Sequence, residues 1–165
     1  MTDRKWLAVV FVTVSFIVTL SGCNGRTNVN DELTVSDAKA STQAVEREIV
    51  ERLPGEYVGT IEQLAAGSFL SCVDGSYLWS GFIRAQITGD PDVATLLDPV
   101  MAKFENKKGF EARYRESLGD RVLDISNEDG ALWIVSYEPA RAELSVDSAS
   151  ACFRLPDEIW PGDHY

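Results

Sequence analysis

Thiols, one imidazole and many carboxylates are what this chain offers for chemistry, and their placement rules out most of it. There are three cysteines and one histidine in 165 residues. The histidine is His164, beside the last residue, so a histidine-based triad or a zinc site would have to be built from a chain end. No G-x-S-x-G elbow, phosphate-binding glycine loop or H-E-x-x-H pattern occurs. Asp124 to Gly130 has the outline of a calcium loop, but its glycine is out of register with the alternating oxygen ligands, so a hairpin turn is expected. The acids could supply a glycosidase-like pair, yet no spacing singles one out. The expectation is a chain with no catalytic residues, no metal ligands, no cofactor and no enzymatic activity.

Cys23 stands apart from the other two cysteines. Arg4 and Lys5 form a short positive start, and the fifteen residues from Trp6 to Leu20 carry no charge, with only Thr13, Ser15 and Thr19 polar. Ser21 and Gly22 follow, giving the order of charge, apolar run and small residues that an export signal requires. The stretch Leu20-Ser21-Gly22-Cys23 resembles the lipobox of bacterial lipoproteins. That resemblance implies that the Cys23 thiol receives a diacylglycerol group and that a peptidase cuts between Gly22 and Cys23. Small side chains before the cysteine suit a narrow protease cleft, and a thiol is the nucleophile soft enough for the alkylation. Two acyl chains anchor stably where one binds only marginally. The alternatives are an ordinary signal peptide with a chance cysteine, or an uncleaved anchor without lipid. The apolar run spans about 22 Å as a helix, short of the roughly 30 Å hydrocarbon core, although bilayer thinning could accommodate it.

Without a 22-residue leader, 143 residues remain, which suits one domain. Removing Asp3, Arg4 and Lys5 takes the 26 acids and 15 bases to 25 and 13, a formal charge of −12. That sign argues against a nucleic-acid partner. It also makes anionic headgroups repel the domain, so the covalent lipid rather than a basic patch must hold it to the membrane. Cys72 and Cys152, an even pair in an exported chain, read as a disulfide. Closing so long a loop would stabilise by about 4.5 kcal/mol in the chain-entropy picture. Two buried free thiols or metal ligands are the alternatives, the latter without a nearby histidine or further cysteine to complete a set.

The elements that must position these residues follow from periodicity. Residues 23–36 read as the lipidated start and a polar, flexible tether. Ser36 or Asp37 can cap a helix to Leu53, with Val45, Ile49 and Leu53 on one face and Pro54-Gly55 as the stop. Residues 56–70 are ambiguous between helix and strand. Tyr77 to Thr88 is the clearest strand, with Tyr77, Trp79, Ile83, Ala85 and Ile87 on one face and Ser80, Arg84, Gln86 and Thr88 on the other. Asp90-Pro91 marks a helix start, and Val93, Leu96, Leu97, Val100, Met101 and Phe104 make its apolar stripe. Pro99 interrupts that stripe, so a kink or a restart capped by Asp98 is expected. Strands then follow from Phe110, from Val122 to Ser126, from Ala131 to Glu138 and from Ala142 to Ser148, the last three joined by tight turns as an antiparallel meander; the Ala131 strand, apolar on both parities, should be central. The fold class is α+β: a two-layer sandwich with two amphipathic helices on one face of an antiparallel sheet of about five or six strands, closed by one disulfide. The domain spans residues 37–155, with 156–165 an irregular acidic tail.

Two features could be surface sites. Arg84, Arg113 and Arg115 should share the open face of the sheet with Glu111 and Glu143, where cross-strand ion pairing is the plain reading. Trp133 and Tyr137 share one parity of the most apolar strand, opposite Leu132 and Ile134; they belong to the core, or form a ligand patch if that parity is exposed. Besides the lipobox, Cys72-Val73-Asp74-Gly75 followed by Tyr77-Leu78-Trp79-Ser80-Gly81, and Ser148-Ala149-Ser150-Ala151-Cys152-Phe153, are similar to segments of small exported actinobacterial lipoproteins of unassigned activity. That likeness implies a fold and an address over residues 68–153, and no chemistry. The expected function is a lipid-anchored envelope protein on the extracytoplasmic face of the cell membrane, acting by binding. The alternatives are a binder of a small or lipidic ligand between helices and sheet, which a dry cavity of several hundred cubic ångströms would favour, and an enzyme using paired carboxylates.

Overall fold

The computed structural model describes residues 29–165; the expected leader and lipobox-like stretch, with Cys23, lie outside them. Two helices cover one face of a single antiparallel sheet, so the α+β sandwich expected from the sequence is what forms. In chain order the elements are α1 (Val35–Val50), β1 (Val58–Gln63), β2 (Ser68–Ser71), β3 (Tyr77–Ile87), α2 (Val93–Glu105), β4 (Phe110–Ser117), β5 (Asp120–Asn127), β6 (Leu132–Glu138) and β7 (Glu143–Ala149). The sheet runs β1-β3-β7-β6-β5-β4, with β2 following β1 along the same edge of β3. The last three strands are the expected meander, β4 extends it by pairing with β5, and β6, apolar on both parities, lies inside the sheet.

Helix α1 starts two residues before Asp37, because Thr34 caps it: its hydroxyl oxygen accepts from the Asp37 N–H at 3.1 Å. The tether expected through residue 36 therefore ends earlier. Val29 bridges Cys152, and the Asn30 N–H donates to the Cys152 carbonyl at 2.8 Å. Asp92, not Asp90, caps α2 by accepting from the Thr95 N–H at 2.7 Å. Pro99 sits inside an uninterrupted α2, and Asp98 caps nothing. It accepts instead from the Tyr114 hydroxyl at 2.7 Å, latching the helix to β4.

Apolar side chains fall into two clusters. The larger lies under both helices and includes Ile49, Leu53, Ile83, Leu96, Phe104, Leu123, Trp133 and Val146. The smaller gathers Val35, Ala38, Phe69, Trp79 and Phe153 near the Cys72–Cys152 disulfide, whose Cα atoms are 6.3 Å apart. Residues 156–165 contain no helix or strand, yet they are held. The buried Trp79 Nε1 donates to the Tyr165 carbonyl at 2.7 Å, and Tyr165 and Gly67 exchange backbone hydrogen bonds.

Candidate functional site

The two ends of the strands differ. The disulfide end carries the turn at Val73–Gly75, the turn between β5 and β6, and the N-terminus of α1. The opposite end carries the β4–β5 turn at Leu118-Gly119 and the segment joining α1 to β1. Helix α1 packs on β3 and β7, while α2 packs on β4 and β5. The inner face of β1 is thus left beyond the flank of α1. There Ile61, on the helix side of the sheet opposite Ala85, is 53% exposed. The gap is a groove of about 360 Å³ lined by Val50, Leu53, Val58, Ile61 and Ile83, with Arg47 and Glu51 on its rim. Five aliphatic side chains around that volume suit an apolar or amphipathic ligand, and the size is at the lower end for small-molecule sites.

Two other concavities have a different character. One of about 210 Å³ at the disulfide end has mixed walls, with Asn30, Ser41 and Asp129 beside Leu33, Val45 and Trp133. One of about 380 Å³ lies between Gly109–Glu111 and Ser126–Glu128, with mainly polar walls. Neither is walled as uniformly by aliphatic side chains as the groove.

Beside the groove lies a buried polar knot that sequence reading did not single out. Glu46 is completely buried between α1 and the sheet, accepting from the Ser148 hydroxyl and from Gln63 Nε2 at 2.6 Å. Gln63 is itself held, donating to the Gln43 carbonyl at 2.9 Å and accepting from Arg47 Nη1 at 2.5 Å. Burial pushes the Glu46 carboxyl above its ordinary value, against the donors from Ser148 and Gln63 and the nearby Arg47 charge. Its signal in the sequence was an acid on the buried stripe of α1, one position from the predicted face residue Val45.

The expected surface features sort differently. Trp133 and Tyr137 are no patch: they are 1% and 5% exposed and face the helices, because their parity is the covered one. The Trp133 Nε1 donates to the Thr42 carbonyl at 3.1 Å. Arg84, Arg113 and Arg115 do share the open face, but Asp124 rather than Glu111 organises two of them. Arg115 Nε donates to both Asp124 oxygens at 2.9 and 2.8 Å, and Arg113 lies 3.9 Å away. Arg84 pairs with Glu143 at 3.7 Å and stacks on Phe82. Asp124 thus belongs to an ion pair on a strand. The turn that follows it is the expected hairpin, with Asn127 Oδ1 accepting from the Ala131 N–H at 2.9 Å. Among the described residues no group of three or more histidine, cysteine or acidic side chains is placed to hold a metal ion.

Comparison with protein families, with curated proteins and with solved structures finds no match. The functional reading therefore rests on residues and geometry alone. No helix among the described residues is long and apolar enough to cross a membrane.

Proposed function

We propose that this chain is a lipid-anchored protein on the extracytoplasmic face of the cell membrane, held through Cys23, and that its domain works by binding rather than catalysis. The address rests on the order of Arg4, Lys5, the uncharged run and Leu20-Ser21-Gly22-Cys23. The groove between α1 and β1 carries the binding reading: an open, aliphatic-walled space at the margin of the helix layer, larger than the mixed-walled concavity between α1 and Trp133. The Arg47 guanidinium on its rim can meet an anionic head while Val50, Leu53, Val58 and Ile61 surround an aliphatic body. The ligand class this favours is a small amphiphile.

Native mass spectrometry of the purified full chain with dodecanoate added tests the assignment. A one-to-one adduct is expected, and Ile61→Glu should weaken it about tenfold, equivalent to about 1.4 kcal/mol. The thermal unfolding of that variant should match the parent, because Ile61 is half exposed. A parent chain that takes up no dodecanoate, or a variant that takes it up equally, overturns the ligand site.

A second reading uses the uncovered face of the sheet as a protein-binding surface. Phe82, Leu132 and Ile134 lie there, half-buried, with Asp147 between Phe82 and Ile134 in cross-strand register. Loss of a co-purifying partner on Ile134→Glu, with dodecanoate uptake unchanged, would favour it.

A further inference from the structure

We infer that β4 is a self-association edge, on which a second copy of this chain adds its own β4, antiparallel, about a two-fold axis at Ala112. An open sheet ends in strands with unpaired backbone groups, and those groups are a template for another strand unless something blunts them. The two edges here are unlike. One is divided between β1 and β2, and β1 slips register between Val58 and Ile61. The other is β4, eight residues without proline that pair with β5 position for position from Phe110 to Ser117.

The turn at Leu118-Gly119 fixes which backbone groups of β4 face outward. Both residues have positive φ, 54° and 94°, as a two-residue type I′ hairpin requires. In such a hairpin the flanking residues, Ser117 and Asp120, exchange hydrogen bonds, and the exchange recurs at every second pair. Arg115, Arg113 and Glu111 therefore give their backbone groups to β5. Ala112 and Tyr114 turn theirs outward, and so does the Phe110 carbonyl, while the Phe110 N–H is taken by the Lys107 carbonyl at 3.0 Å. Among the described residues nothing meets the outward backbone groups of Ala112 and Tyr114.

Side chains choose the occupant and the register. Charges on an edge strand ordinarily repel a newcomer, but those of β4 are self-complementary. Glu111 and Arg113 stand on the open face, both exposed. With Ala112 opposite the partner's Ala112, Glu111 meets the partner's Arg113 and Arg113 meets the partner's Glu111, in the closer, non-hydrogen-bonded pairs. Shifting the pairing one step either way sets Glu111 or Arg113 against its own copy. Arg113 can take this role because Arg115 donates to both Asp124 oxygens, whereas Arg113 is 3.9 Å from one of them with its side chain 81% exposed. On the helix side Phe110 comes opposite the partner's Tyr114, both half-buried in the single chain. The two Ala112 residues exchange backbone hydrogen bonds, and each Tyr114 N–H donates to the partner's Phe110 carbonyl, so two copies form one continuous sheet.

Sedimentation equilibrium of the purified full chain in density-matched detergent tests this. The parent should show a concentration-dependent dimer. Glu111→Arg and Arg113→Glu, each alone, set like charges face to face in both pairs and should weaken it about tenfold or more. An equimolar mixture of the two variants should regain the dimer, because every arginine of one then faces a glutamate of the other. A parent that stays monomeric, single variants that dimerise like the parent, or a mixture no better than either variant alone overturns the proposal. If a variant fails to fold, amide hydrogen exchange of the parent decides. Exchange at Ala112 and Tyr114 should slow several-fold as protein concentration rises, while Gly59 and Thr60 on the other edge keep their rates. Slowing at both edges alike, or at neither, overturns it.

Discussion

Glu46 shows how one side chain sets the pH behaviour of the helix–sheet seam. Its carboxyl is wholly buried, and burial raises its pKa in the fold above the ordinary 4.5. An acid so shifted favours the folded state when protonated. Its favourable contribution is therefore complete below the unfolded value and is lost as pH rises from there through the folded value. Glu48 and Asp92 have the opposite slope. Partial burial pushes Glu48 up, but Lys107 and Lys103 outweigh it and hold the carboxyl low, and the Thr95 N–H lowers Asp92. Glu46→Gln isolates the first effect. The amide can accept from Gln63 and donate to the Ser148 hydroxyl, so every partner stays satisfied without a buried charge. Denaturant melts should show the variant more stable than the parent at neutral pH, with the gap closing as pH falls to 4.5. A constant gap across that range would mean that Glu46 does not titrate with folding. Glu46→Ala, by contrast, strands both donors over a cavity and should cost about 3 kcal/mol where the parent's carboxyl is protonated, and less at neutral pH, where the parent has lost its proton-linked contribution.

At the scale of elements, Pro99 is the clearest conflict between local sequence and fold. It sits seven residues into α2 without an N–H to donate, yet the helix runs through it because Leu96, Leu97, Val100 and Phe104 bury their stripe on either side. Pro99 itself is exposed, so Pro99→Ala should restore a backbone hydrogen bond and stabilise by about 1–3 kcal/mol. A loss of stability in thermal melts would mean that α2 needs the proline's restricted backbone to fit β4 and β5. Period and parity made α2, β3 and the meander legible, since each has one face toward the core and one toward water. Residues 56–70 were ambiguous for a physical reason. The strands β1 and β2 lie on one edge; the exposed middle of β1 slips register between Val58 and Ile61 and shows no alternation. The groove was illegible for the same reason, because Ile61 points to the covered side of the sheet where no helix reaches. Gly67 and Gly81 hid a further constraint. Trp79 folds over both, and a Cβ on Gly81 would stand 2.2 Å from its ring. Single-residue propensity cannot anticipate that contact.

For the whole molecule, the two apolar clusters make the stability of the domain uneven, and the disulfide marks the division. The larger cluster is gripped by both helices and the central strands. The smaller one depends on segments distant in the chain: the start of α1, β2, the start of β3, Phe153 and the last residues. Cys72 and Cys152, 80 positions apart, join two of those segments where Val29 and Asn30 also attach. Without the bond, that end would rest on hydrogen bonds such as the Tyr77–Phe153 backbone pair, the Trp79–Ser150 pair and the Arg154 contact to the Asp74 carbonyl. Replacing both cysteines by serine should therefore lower global stability by about 2–4 kcal/mol. It should also lower local stability unevenly, because segments with few buried contacts open first. Amide hydrogen exchange is the measurement. Protection should fall most at Phe69–Trp79 and Ala151–Phe153 and much less at Leu123–Ile125 and Trp133–Val135, which lie between paired strands in the larger cluster. Uniform loss would show one cooperative unit. Preferential loss would make the disulfide end the first part to loosen, and the backbone hold on Val29 and Asn30 the first contact given up.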